Sequence, residues 1–383
     1  MGTPNVMKAA EGFDIYPDGL IVQDWPWSVL SAGTNTPQIV SGAGVFGGKS
    51  LAFNRGTTLG EACRYRFPST AQWMRNSATA TGKAVFGFNA WFRQDTLPTN
   101  TAVNTLLSWA TTASAQSIPF LGISNTVAGG LQLAFPSAVG NVTTSPYQMA
   151  ISLNVWYWLS LRFIVFPNAQ CFASYTVNGI PIQDNVQLTF TSDPLSTNVA
   201  NQILFNGGGV TGTYSLDDMV IQNSSGADAD WPAGFAGGVP NTPSMTSISN
   251  ITPRRIYPIP ITANGSVTEW TPDEEGLPNW QAATESGHSV EALDANLTDL
   301  YKGTVGAEDV ITDCIGIVAR ASTNKYLNVE PAMKDSASSA QVNNPGVVSK
   351  GTARFVSVIE QTQDGQQWTK ALIEGAEFGQ HSL

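Results

Sequence analysis

Apolar and polar residues alternate with a period of two along much of the chain. In 85–92, Phe86, Phe88, Ala90 and Phe92 share one face. In 156–166, Tyr157, Leu159, Leu161, Phe163 and Val165 share one face, while Trp158, Ser160 and Arg162 share the other. Leu131, Leu133 and Phe135 repeat the pattern, as do Cys171, Ala173, Tyr175 and Val177. A strand with one apolar face belongs to an antiparallel sheet that covers a core. Asn178-Gly179 supplies the two positive-φ positions of a type I′ turn between 175–177 and 180–182, which predicts a hairpin. Helical periodicity is confined to a turn or two at 70–76. Further short strands are predicted at 256–261, 311–320, 353–359 and 370–378.

Between these two strand-rich regions the texture changes. Gly, Pro and Ser make up 13 of the 30 residues of 224–253, the composition of a linker or an extended arm. The expected organisation is an N-terminal β domain at 1–223, a linker or arm at 224–250, and a small acidic β domain at 251–383. Charge follows the same division. Residues 1–225 hold 9 basic and 10 acidic side chains, a net of −1, whereas 226–383 hold 9 and 19, a net of −10.

Composition narrows the classes. Charged residues are only 12% of the 383, and Gly (36) and Pro (22) punctuate the whole length, which argues against a coiled coil, a helical bundle or a disordered tail. A net charge of −11 leaves no basic footprint, so nucleic-acid binding is not expected. Neither a signal peptide nor an apolar stretch near the roughly 18 residues of a membrane span is expected from the pattern. Cys63, Cys171 and Cys314 are an odd set without a C-x-x-C pair, which indicates neither a disulfide framework nor a zinc site.

Several segments together resemble the concanavalin A-like (laminin-G-like) sandwich domains of tailed-bacteriophage virion proteins. They are Glu11-Gly12-Phe13-Asp14-Ile15-Tyr16, the block from Gly44 through Gly47-Gly48 to Leu51, and Asn154 to Leu161. Val177-Asn178-Gly179 and Tyr214-Ser215-Leu216-Asp217-Asp218-Met219-Val220 complete the sandwich. Arg255-Ile256, Pro260, Gly265, Trp270-Thr271-Pro272, Asp299-Leu300-Tyr301, Gln367-Trp368-Thr369 and Ala376-Glu377-Phe378-Gly379 resemble the region that follows it. Ser160 departs from the pattern, standing where the family often has an acid, and 119–123 diverges. The resemblance implies an all-β chain: a jelly-roll β-sandwich, an extended arm and a second, smaller β-sandwich domain. It also implies a structural virion component (tail, neck, fibre or capsid appendage) that works by oligomerising and docking. Its partners would be copies of itself and other virion proteins, with host-surface glycan as a further contact, and its location the virion.

Catalysis is weighed against the residues directly. A retaining glycosidase needs two carboxylates about 5–5.5 Å apart. The close acid pair of the N-terminal domain, Asp217-Asp218, is adjacent and therefore points to opposite faces of a strand, with Asp218 expected inward and bonded to loop backbone. The chain has two histidines, His288 and His381, neither placed as a base. Gly207-Gly208-Gly209 lacks the Lys and helix of a phosphate loop. Asp294, Asn296 and Asp299 are spaced like part of a calcium loop, without its Gly and closing Glu. The expectation is therefore no enzyme, no catalytic residue, no metal and no cofactor. Trp156, Trp158 and Arg162 form the candidate contact surface, either for a sugar that stacks on indole and bonds to guanidinium or for packing against another sheet, loop or subunit. Two alternatives stand beside the virion reading: a glycan-binding adhesin, and a polysaccharide depolymerase built on an acidic pair.

Overall fold

A computed structural model describes residues 7–20, 27–29, 37–53, 61–66, 84–98, 104–113, 116–126, 128–138, 141–144, 149–165, 170–189, 199–207, 212–224, 256, 259–284, 288–306, 315–335, 341–343, 348–359, 362–364 and 366–383. The chain is all-β, as the alternation predicts, and divides into two compact units, Val6–Ile256 and Tyr257–Leu383. The expected arm at 224–250, apart from Ser224, which ends a strand, lies outside the described residues, as do the helical turn at 70–76 and Arg255.

In the first unit, among the described residues, nine strands make one antiparallel sheet and eight make another. The nine-stranded sheet runs Ile180–Thr189, Gln170–Val177, Trp156–Val165, Ala84–Gln94, Tyr214–Ser224, Lys49–Phe53, Gln38–Ser41, Gly19–Leu20, with Met7–Glu11 also on Tyr214–Ser224. The apolar faces read from the sequence turn inward. Phe88, Ala90, Phe92, Leu159, Leu161, Phe163, Tyr175 and Leu216 meet Cys63, Tyr65, Leu107, Leu131, Leu133, Ile203 and Phe205 of the second sheet in one buried cluster. Each fully buried side chain of this size contributes roughly 1.5–3 kcal/mol through the apolar area it removes from water.

Polar bonds fix how the two sheets face each other. The Tyr175 hydroxyl donates to the Leu131 carbonyl at 2.9 Å, the Tyr214 hydroxyl to the Leu106 carbonyl at 3.1 Å, and Asn125 Nδ2 to Gln94 Oε1 at 3.1 Å. The predicted hairpin is present. Val177 pairs with Ile180, and Asn178 and Gly179 have φ of 50° and 78°, the positive pair that a type I′ turn requires. Asn178 also accepts the Trp158 N–H on its Oδ1 at 2.8 Å, which secures the turn to the next strand. Pro181 causes no conflict because its strand is at the sheet edge, where a missing N–H costs no ladder bond.

Among the described residues the second unit holds a six-stranded sheet, ordered Ile261–Thr268, Thr298–Gly303, Glu377–Ser382, Ile315–Lys334, Gln341–Asn343, with Val348–Ile359 also paired to Ile315–Lys334. A two-stranded ribbon joins Thr271–Pro272 to Val290–Glu291. The strand expected at 370–378 is in fact a helix, Lys370–Gly375, followed by the strand Glu377–Ser382. The reason is local: the Thr369 side chain accepts from the Leu372 N–H and caps the helix, and a cap of this kind outweighs a short alternating pattern. Trp368, Ile373, Ala376, Met333 and Val305 form the buried cluster beneath that helix.

Candidate functional site

The outer face of the nine-stranded sheet carries the residues singled out from the sequence. Register sets them in cross-strand pairs. Trp156 lies opposite Arg93, Trp158 opposite Trp91, and Ser160 opposite Asn89. All six point away from the core, because the core-facing residues Phe88, Ala90, Phe92, Leu159 and Leu161 alternate with them. Directly opposed side chains on one face are close enough to interact, and here each pair does. The Arg93 guanidinium carbon stands 4.9 Å from the Trp156 ring centroid. The Trp91 and Trp158 rings meet edge to face at 5.6 Å, and Ser160 Oγ donates to Asn89 Oδ1 at 2.7 Å.

Exposure divides this row sharply. Trp158 is 0% exposed and Arg162 2%, so neither is available to a ligand from solvent. Trp156 and Trp91 are half-buried, and the chain just before Trp156 emerges fully, with Leu153 and Val155 exposed. Of the three candidates read from the sequence, Trp156 alone reaches the surface. The sequence pattern missed Arg93, Asp95, Trp91 and Phe46. Arg93 and Trp91 were legible in principle, being the alternate positions to Ala90 and Phe92 on a strand already recognised.

Arg93 is held rigidly. Its Nε donates to Asp95 Oδ1 at 2.7 Å, one terminal nitrogen to the Ala43 carbonyl at 3.3 Å, and the other to Ser215 Oγ at 3.4 Å. Asp95 Oδ2 accepts from Ser215 Oγ at 3.1 Å. Both members of the ion pair keep 23% of their side-chain surface exposed.

Phe46 overhangs the same place from the loop before Lys49–Phe53. It is 47% exposed, and its ring meets Trp91 edge to face at 5.8 Å. Two carboxylates named in the sequence resemblance hold this loop. Asp217 Oδ2 accepts the Val45 N–H at 2.9 Å, and Asp14 Oδ1 accepts the Lys49 N–H at 2.6 Å. Gly44 and Gly48 are needed for that approach: a Cβ on Gly44 would come within 2.7 Å of Asp217, and one on Gly48 would run into the Asp14 carboxylate. Gly47, at φ 85°, turns the loop. Asp14, Gly47, Gly48 and Asp217 thus converge on one task, positioning Phe46. Asp217 bonds this loop, and Asp218 beside it is buried. Asp218 occupies a bulge at φ 46° and donates its own N–H to Asp217 Oδ1 at 2.8 Å. Phe13, also at positive φ (60°), packs into the core against Tyr16 and Trp27.

A buried polar network in the second unit is centred on Asp299. Asp299, 0% exposed, accepts the Tyr301 hydroxyl at 2.6 Å and Asn279 Nδ2 at 3.0 and 3.1 Å. Gln380 Nε2 donates to the Tyr301 oxygen at 3.2 Å. Trp270 is anchored beside it: its carbonyl accepts from Asn279 and its Nε1 donates to the Leu297 carbonyl. Burial is the main cause that lifts the Asp299 carboxyl to about 6, against the bonds from Tyr301 and Asn279. Asp294 and Asn296 are exposed while Asp299 is interior, so the three oxygen ligands considered from the sequence do not meet. Among the described residues no group of three His, Cys, Asp or Glu could hold a metal ion, and no helix is long and apolar enough to cross a membrane.

No protein family and no curated protein matches the sequence. Solved structures do. An alginate lyase in complex with an alginate trisaccharide matches at 9% identity and TM-score 0.40, over 58% of this chain and 99% of that one. An endo-β-1,4-glucuronan lyase from the fungus Trichoderma reesei matches at 12% and 0.38, over 55% and 94%. A carbohydrate esterase from a Shiga toxin-encoding bacteriophage matches at 14% and 0.34, over 56% and 99%. These neighbours are carbohydrate-active proteins by name. The expectation that the chain is not an enzyme is corrected on this finding, since the structures it is similar to are enzymes. At these identities none of their reactions or residues is transferred to this chain.

Proposed function

We propose that the protein recognises carbohydrate, with a sugar chain lying on the outer face of the nine-stranded sheet against Trp156, Trp91 and Phe46. The observation that carries this reading is the Arg93–Asp95 ion pair set beside a half-buried indole, with Arg93 4.9 Å from the Trp156 centroid and 2.7 Å from Asp95. A pyranose presents C–H groups on its faces and hydroxyls around its rim. The Trp156 indole supplies apolar surface, and the Arg93 guanidinium stacked over its ring with Asp95 bonded to it supplies a fixed donor and acceptor. The fixed geometry matters, because side chains already held in place lose little entropy on binding.

The test is a glycan array followed by calorimetry. Wild-type protein binds an oligosaccharide, and Trp156→Ala abolishes that binding while leaving the melting temperature close to wild type. Binding that survives Trp156→Ala, or no binding to any glycan, removes the reading.

The sequence resemblance adds a location to this proposal. The sandwich would act as an adhesin on a tailed-phage particle, beside copies of itself and other virion proteins. Mass spectrometry of purified particles tests that part, and absence of the chain from them removes it.

A further inference from the structure

We infer that the sugar accepted at this face is neutral, a hexose or hexosamine chain, in preference to a uronate or a sialate. The inference rests on the carbohydrate reading above and goes one step past it, to the charge class of the ligand. Arg93 stands 4.9 Å from the centroid of the half-buried Trp156 ring, and its charge is already answered by Asp95 at 2.7 Å. Its terminal nitrogens are directed at the Ala43 carbonyl and Ser215. Arg162, the other cation of this face among the described residues, is 2% exposed and lies six residues along the strand from Trp156. Asp217 adds a second carboxylate, directly opposite Trp91 in the register.

The fixed charge around the exposed indole is therefore negative or balanced. An incoming carboxylate would stand beside Asp95 with no uncommitted cation among the described residues of this face to meet it, a like-charge juxtaposition that selects against such ligands. A neutral sugar brings hydroxyl donors instead, and the part-exposed Asp95 carboxylate is an acceptor for them.

The experiment uses the full chain on an array holding neutral, uronate-containing and sialylated oligosaccharides, with calorimetry of the best binder of each class at low and high NaCl. Neutral glycans are expected to bind at least about tenfold more tightly than acidic ones, a difference of one like-charge contact, and to be nearly indifferent to salt. Asp95→Asn, which leaves Arg93 uncompensated, is expected to weaken the neutral ligand and strengthen the acidic one, narrowing that ratio. Tight binding of an acidic glycan that Trp156→Ala abolishes overturns the inference and leaves the carbohydrate reading standing. Absence of binding in every class overturns both.

Discussion

The Tyr214 hydroxyl crosses the sandwich to donate to the Leu106 carbonyl at 3.1 Å. That carbonyl needs a partner because Leu106 falls at a shift in register between Thr105 and Leu107, where the pairing with the neighbouring strand slips. The bulge removes one ladder bond, and a tyrosine from the opposite sheet restores it. Tyr214→Phe is expected to lower stability by about 1 kcal/mol, the net worth of one buried hydrogen bond, seen as a lower urea midpoint with unchanged slope. Tyr175→Phe removes the corresponding bond to Leu131. Because the two bonds share no partner, the double variant should lose the sum of the single losses within about 0.5 kcal/mol. A single variant as stable as wild type would show that water replaces the phenol.

Trp156 and Trp158 sit two residues apart on one face, yet their substitutions are expected to behave differently. Trp158 is 0% exposed and packs edge to face on Trp91, so Trp158→Ala should cost about 3–5 kcal/mol, as for a core aromatic. Trp156 is half-exposed, and Trp156→Ala should cost about 1 kcal/mol, mainly the stacked cation. Thermal melts of the two variants separate these outcomes. Comparable losses would mean that Trp156 is a packing residue, and its use as a binding surface would fail.

The Phe46 loop offers a second handle. Asp217 accepts two backbone N–H groups, from Val45 and from Asp218. Asp217→Ala leaves both donors, the buried Asp218 N–H and the part-buried Val45 N–H, without that acceptor, at an expected cost of about 1–3 kcal/mol. Amide exchange at Val45 should accelerate more than exchange in the Trp156–Val165 strand. Uniform acceleration across the sheet would show that Asp217 supports the whole fold and not the loop.

How far the sequence anticipated this arrangement depends on the range of the interaction. The strands of the sandwich were legible because period-2 alternation at Phe88, Ala90 and Phe92 or at Leu159, Leu161 and Phe163 is local and repeats. The Asn178-Gly179 turn was legible because two adjacent positive-φ residues have few other uses. Lys370–Gly375 was not, since a single capping bond from Thr369 decided it. The site was half legible. Trp156 was found on its own strand, but register brings Arg93 and Ser215 from two further strands, and the loop bonds of Asp14 and Asp217 set Phe46 on Trp91. Nothing along one strand distinguishes the half-buried Trp156 from the fully buried Trp158.

The buried Asp299 makes the second unit sensitive to pH in a definite direction. Its carboxyl is raised from 3.8 to about 6, chiefly by burial, so the folded chain holds that proton more tightly than the unfolded chain. The associated stability is fully present below about pH 4 and is lost as pH rises through about 6, a loss of about 3 kcal/mol for a shift of two units. Glu377, on the adjoining strand, works the other way. Burial raises its carboxyl, but the bonds from the Ser266 N–H and hydroxyl and the charges of Lys334 and Lys302 outweigh this and hold it below its ordinary value, so its contribution is lost on acidification. Asp299→Asn removes the first titration and leaves the second, and an acceptor oxygen remains for the Tyr301 hydroxyl. Subtracting the two stability-versus-pH curves should therefore leave a slope confined to about pH 4–6, with the variant gaining on wild type as pH rises. Hydrogen exchange at Leu300, followed across that range in both proteins, would report it for this unit. A flat difference curve would mean that Asp299 takes up its proton no more readily folded than unfolded, and that its bonds to Tyr301 and Asn279 fully offset its burial.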